Sequence, residues 1–223
     1  ILASGLASSS DTTADKIYDR FRGRLMFPIT DQLGRIVAFG GRSLKKDQEP
    51  KYLNSPETPI YHKSKVLFGL YQAKSSIKEQ KAAVIVEGYM DMIAAFQAKI
   101  MNTVAVSGTA LTSYQLRMIK PFAKELYLAF DMDLAGQDAA KRAFELTQEF
   151  DFEVKIVELP HGKDIAEFVK NNASELSSVI KNAKLYGDYL LNRLFSIYGT
   201  ADFSEKRKVI MEFFPFLSAI KSG

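Results

Sequence analysis

Two apolar runs in this chain end in acid. "AAVIVE" ends at Glu87, and "ELYLAFDMD" ends at Asp131 and Asp133. Both runs are too short and too uniformly apolar for an amphipathic helix and read as buried strands. Buried carboxylates are costly unless they are paired or hold a metal. Residues i and i+2 of an extended chain point the same way, so Asp131 and Asp133 can face one point. Asp91 follows Glu87 by four residues, in the first turn of the next helical segment. A further apolar run leads into "LPHGKDIAEF", which carries Asp164. An all-oxygen set of this kind suits Mg²⁺ or Mn²⁺ better than zinc. Taken one at a time, each acid has a plainer reading: Asp133 as a helix cap, Asp91 as an acid favoured at a helix start. Glu87 and the Asp-x-Asp pair at equivalent strand ends are harder to explain that way together.

Those acids can meet only if their strands lie side by side and point the same way. The middle of the chain meets that condition. "AAVIVE", "NTVAVSG", "ELYLAFD" and "FEVKIVEL" read as strands, separated by helical stretches in "MDMIAAFQAK", "TSYQLRMIKPFA" and "GQDAAKRAFELTQEF". Regular alternation of this kind predicts a parallel sheet with helices on both faces, and a ligand beyond the carboxyl ends of the strands. Thr112 and Gln115 form a candidate capping box. "AVSGTALT" is read as a turn at Gly108 with Thr109 and Thr112 as caps, its backbone N–H groups facing phosphate being the second reading.

The flanks differ. Residues 1–15, rich in Ser and Thr, are expected to be a loop or frayed terminus. "RLMFPI" and "RIVAFGG" around "TDQLG" predict a β-hairpin. "QEPKYLNSPETP" is expected as loop, and "KVLFGLYQAKSSI" as helix. From Ser174 onward the pattern is helical. The expected division is a basic N-terminal unit over 1–80, a metal-binding α/β unit over 81–172 and a helical unit over 173–223.

Charge is unevenly placed. The net charge is +4, yet residues 16–65 hold eleven Lys/Arg against five Asp/Glu. A basic first third beside a carboxylate-bearing middle points to a phosphate-rich partner and a metal. In "RFRGR", Arg20, Arg22 and Arg24 are expected to alternate along one face. Tyr18, Phe21, Tyr52 and Tyr61 are interleaved with the cations; rings can stack bases while Arg and Lys hold phosphates. Phe21, Phe27 and Phe39 are read as core. No Cys is present, which excludes disulfides and a Cys-based zinc site and fits a cytoplasmic location. No apolar run approaches the length that spans a bilayer. The first residues carry no basic n-region, so no signal peptide is read, and the abrupt ends suggest a piece of a longer chain.

"VEGYMD", "AVSGTALT" and "AFDMDLAGQDAA" resemble the three successive signatures of the TOPRIM domain, shared by topoisomerases, primases and some nucleases. "YDRFRGRLMFPITDQLGRIVAFGGRSL" and "KYLNSPETPIYHKSKVLFGLYQAK" resemble the basic N-terminal subdomain of bacterial DnaG-type primases. The resemblance covers about residues 16–170, with a looser helical match beyond. It implies a parallel-sheet TOPRIM domain flanked by a basic α+β subdomain and a helical one. The implied activity is RNA primer synthesis on a single-stranded DNA template from NTPs. Glu87, Asp131 and Asp133 would be catalytic and would hold Mg²⁺ or Mn²⁺ with Asp91 and Asp164. Arg42, Lys51, Tyr52, Asn54 and Lys63 match positions for template, primer or nucleotide. A replicative helicase and a zinc module are implied as partners, through regions not found in this chain. One departure stands out: "PHGKDIAEF" carries His161 and Ala166 where the family commonly has acids, and His161 is read as an exposed loop residue. Rival readings are a phosphatase whose first Asp is a nucleophile, a TOPRIM topoisomerase or nuclease, and a non-catalytic nucleic-acid clamp.

Overall fold

The computed structural model describes residues 1–223 except 11–12, 46, 132–133, 161–163 and 220–223. Its centre is a mixed five-stranded sheet. Strand β6 (Ala82–Val86) pairs in parallel with β7 (Thr103–Ala105) on one side and β8 (Glu125–Ala129) on the other. Beyond β8 lies β9 (Glu153–Ile156), also parallel. The edge strand β10 (Lys184–Leu185) runs antiparallel to β9, so the order is β10-β9-β8-β6-β7. The chain leaves β6 for one neighbour and returns past it to the other. That makes the β6 carboxyl end the topological switch point, where open α/β sheets form their ligand crevice.

Helices cover both faces, as a fully buried strand such as β6 requires. Helices α1 (Leu70–Gln80), α3 (Ser113–Ile119), α4 (Leu134–Thr147) and α7 (Tyr186–Tyr198) pack one face through Ile77, Leu116, Ala143 and Tyr186. Helices α2 (Tyr89–Gln97), α5 (Ile165–Asn172) and α6 (Leu176–Lys181) pack the other through Met92, Phe168 and Leu176. The α3 start follows its capping box: Thr112 Oγ1 accepts from the Gln115 N–H, and Gln115 Oε1 accepts from the Thr112 N–H. Helix α8 (Phe203–Ala219) packs on α7, with Phe216 against Phe144 and Tyr186. Among the described residues no helix is long and apolar enough to cross a membrane.

The basic first third forms its own antiparallel sheet. The expected hairpin is β3 (Arg24–Thr30) with β4 (Ile36–Ser43), joined through Asp31, which accepts from the Leu33 and Arg35 N–H groups. The third strand, β5 (Tyr52–Asn54), lies inside the stretch expected to be loop. Its flanking prolines mask it, although three residues suffice to pair with an open edge of β4. Residues 1–15 are likewise not simply a frayed loop: β1 (Ala7–Ser10) and β2 (Thr13–Asp19) pair antiparallel. Small hydroxyl side chains give no periodic signal, yet the backbone ladder does not need one. A third correction is at "KVLFGLYQAKSSI". Its helix begins only at Leu70, because Phe68 is pinned in extended form against Ala105 and Gly69 takes a left-handed turn. The two-residue β10 interrupts the otherwise helical C-terminal stretch.

Candidate active site

Glu87 stands one residue past the end of β6 and Asp131 two past the end of β8. The parallel register pairs Val86 with Ala129, which places both acids at one edge. They are joined directly: the Asp131 N–H donates to Glu87 Oε1 at 3.2 Å. Gly88 then turns the chain into α2, and Asp91 sits at the third helical position, where Oδ2 accepts the Gly88 N–H. Its other oxygen, Oδ1, accepts the Ala166 N–H at 3.1 Å, tying α2 to α5. Asp164 is the N-cap of α5 and accepts the Glu167 N–H at 2.6 Å.

These four acids line one cleft of about 700 Å³. Arg42 of β4, Lys51 just before β5, and Tyr52 and Asn54 of β5 line it too, as does Lys170 of α5. The Arg42 guanidinium and the Lys51 ammonium each lie 5.7 Å from the centre of the Tyr52 ring. The two cations are thus held by a ring that covers part of the same wall. Burial pushes the Asp91 carboxyl up to about 6; the Asp164 and Asp131 charges add to this, against the lowering effect of the two backbone N–H groups. A carboxylate raised in this way is short of positive charge, and the donors around it are oxygen. The residues therefore fit a hard divalent cation in donor type and in electrostatics. Among the described residues no three of these groups are already drawn together as a closed cation site. Asp133 and His161 lie outside the described residues.

Other expected site residues fall elsewhere. Arg20 and Arg22 lie in the turn between β2 and β3 and Arg24 opens β3, so the three do not alternate along a strand face. Arg20 reaches inward, donating to the Asn54 carbonyl at 3.3 Å, and its Nε is buried without a partner. Arg24 donates to the Gly41 and Lys51 carbonyls, and Arg22 lies over the Tyr18 ring. A tight turn at left-handed Gly23 breaks the alternation that an extended chain would give. None of the three lines the cleft. Lys63 is also outside it, at a turn where its N–H donates to Glu57.

Two cleft residues carried no sequence signal. Tyr89, which is buried, packs against Phe27, Phe68 and Tyr52 at centroid distances of 4.8, 5.6 and 5.3 Å. It wedges the start of α2 against the basic sheet. Gly40 makes room for it, since a Cβ there would lie 3.0 Å from the Tyr89 ring. Ser107, at φ 55°, accepts on its carbonyl from Asn54 Nδ2 at 3.1 Å. Tyr89 reads as core in a sequence, and a left-handed Ser has no compositional mark.

Residues 1–74 match the family model for the DNA primase catalytic core, N-terminal domain, and residues 84–169 match the Toprim-like model. A crystal structure of a DNA primase domain from Pseudomonas aeruginosa is 38% identical, with a TM-score of 0.85 over 98% of this chain and 69% of that one. The chain belongs to the DnaG primase catalytic-core family. The structure of a DnaG primase catalytic domain bound to ssDNA is 33% identical, with a TM-score of 0.84 over 98% of this chain and 71% of that one. The DNA primase of Clostridium acetobutylicum is 45% identical over 181 residues, 80% of this chain. The chain spans 30% of the length of that relative. The match to the N-terminal model begins at residue 1, so the β1–β2 hairpin belongs to the DnaG-type region, which extends further than residues 16–170.

Proposed function

We propose that this DnaG-type core polymerises ribonucleotides into short primers on single-stranded DNA. One observation carries the reading: a single cleft is lined by the carboxylates of Glu87, Asp91, Asp131 and Asp164 and by Arg42, Lys51 and Tyr52. Nucleotidyl transfer needs that pairing, since it joins a 3′-hydroxyl to the α-phosphate of a highly anionic triphosphate.

In this reading Glu87, Asp91, Asp131 and Asp164, with Asp133, hold Mg²⁺ or Mn²⁺. The cation, when bound, stabilises the charge on the attacking and leaving oxygens. The remaining work falls to the chain. Arg42 and Lys51 draw phosphates to the cleft, and the exposed edge of Tyr52 offers a stacking surface for a base. Asn54 acts by position: it ties β5, and so the cationic wall, to the Ser107 turn beside Glu87. The Glu87 carboxylate, fixed by the Asp131 N–H, is held rigid at the reacting centre.

The reading keeps a basic unit (1–80) and a TOPRIM unit (81–172), with residues 173–223 adding the edge strand β10 and helices to the same sheet; a cytoplasmic setting and partnership with a helicase and a zinc module through other regions go with it. Toprim primases are generally metal-dependent, which supports the cation but does not name it. Template DNA, labelled NTPs and Mn²⁺ test the function. Template-dependent RNA products support it; strand cleavage, phosphate release or binding without synthesis each replace it by another activity.

A further inference from the structure

On the far face of the sheet a second cavity, of about 250 Å³, opens beside Glu87. It shares only Glu87 and Gly108 with the main cleft. Its floor is apolar: Val106, Phe130, Ala139 and Ala143. Above the floor runs the turn after β7. The parallel ladder continues to Ser107, whose N–H donates to the Glu87 carbonyl at 2.8 Å. There it stops. Among the described residues, the N–H groups of Gly108, Thr109, Ala110 and Leu111 donate to no protein acceptor. Gly108 and Ala110 are exposed, so these donors are open to solvent or to a ligand that can accept from them. Arg142 of α4 lines the same cavity and makes no ion pair among the described residues. An exposed Arg on a helix is by itself ordinary. A guanidinium and a run of backbone donors without protein acceptors, lining one walled cavity, are the groups that an anion site uses.

The chemistry proposed above calls for a second such place. In-line transfer puts the attacking strand and the leaving polyphosphate on opposite sides of the reacting phosphorus. Arg42 and Lys51 line the main cleft and not this cavity. We propose that the Gly108–Leu111 turn and Arg142 form a second phosphate-binding subsite on the α3/α4 face. It takes either the polyphosphate of the nucleotide or a backbone phosphate of the strand. The proposal rests on the nucleotidyl-transfer reading. Glu87 closes one end of the cavity and by itself repels an anion, so the subsite fills when a divalent cation offsets that charge.

The test measures binding, with inorganic tripolyphosphate and a fluorescent oligothymidine as separate probes in Mn²⁺. Arg142→Glu should weaken one probe about tenfold or more, as loss of a charge-assisted hydrogen bond does. Arg142→Lys should retain most of the binding. Loss of tripolyphosphate alone assigns the subsite to the nucleotide, and loss of the oligonucleotide alone assigns it to the strand. Lys141→Glu makes the same charge change one residue away and outside the cavity, and should leave both probes unchanged. The subsite is refuted if Arg142→Glu changes neither probe, or if Lys141→Glu matches its effect. Neither probe needs turnover, so a protein that binds tripolyphosphate through Arg142 yet incorporates no nucleotide refutes the primase reading and leaves the subsite standing.

Discussion

Asp131 donates its backbone N–H to Glu87 Oε1, at 3.2 Å and across 44 residues of chain. The bond fixes the carboxylate of one strand end with the backbone of the other. It also separates two roles of Glu87. Glu87→Gln keeps an oxygen that can accept the Asp131 N–H, so unfolding free energy should change by less than about 1 kcal/mol. Removal of the charge should still lower Mn²⁺ affinity and nucleotide incorporation at least tenfold. Glu87→Ala should lose both, with a further stability loss of about 1 kcal/mol. Denaturant unfolding with Mn²⁺ titration separates the two; equal Mn²⁺ affinity in Glu87→Gln and the parent chain would remove Glu87 from the cation site.

Asp91 gives the apo protein a pH dependence of definite sign. Folded, it holds its proton up to about 6; unfolded, it releases it near 3.8. Between these values the folded state binds more protons, so stability falls as pH rises through the window, by about 2 to 3 kcal/mol at most. In EDTA the contribution of Asp91 should therefore be a loss of stability from pH 4 to 6, and Asp91→Ala should flatten that part of the profile. Mn²⁺ should restore stability above pH 6 by binding the ionised form. An Asp91→Ala profile parallel to that of the parent chain would contradict the assignment.

Arg42→Ala with Lys51→Ala should weaken binding of single-stranded DNA and reduce its salt dependence. Each phosphate that the variant no longer neutralises lowers the slope of log K against log salt by about 0.7. Fluorescence anisotropy across a salt series measures this. An unchanged slope would mean that the cationic wall does not face the strand.

Tyr89 separates packing from polarity. Its hydroxyl is buried without a partner, and burial pushes the phenol up to about 12. Tyr89→Phe should be neutral or should stabilise by about 1 kcal/mol, whereas Tyr89→Ala should cost about 3 to 5 kcal/mol. Chemical denaturation distinguishes them; a large loss in Tyr89→Phe would reveal a hydrogen bond made by that hydroxyl in solution.

The central sheet was legible because its signals are redundant. Each strand of the α/β unit is an apolar run, each helix has its own period, and Thr112 with Gln115 marks a helix start. The acids Glu87, Asp91, Asp131 and Asp164 could be placed together because parallel strands send their carboxyl ends to one edge. What escaped was structure made by backbone pairing alone. Strands β1, β2, β5 and β10 are short or polar, and no local pattern shows that β5 adds to β4 or β10 to β9. The Arg20–Arg24 alternation failed because extended geometry was assumed across the left-handed turn at Gly23. Asn54 and Tyr89 act between the two sheets, and such packing arises only when both sheets are assembled.

The most direct measurement of the central claim is template-dependent incorporation of labelled NTPs by the parent chain and by Asp131→Ala, in Mn²⁺, with folding of both checked by circular dichroism. The account predicts RNA products from the parent chain, none without template, and at least a hundredfold loss in a folded Asp131→Ala variant. Products formed equally well by that variant would place the chemistry away from the strand-end carboxylates and contradict the account.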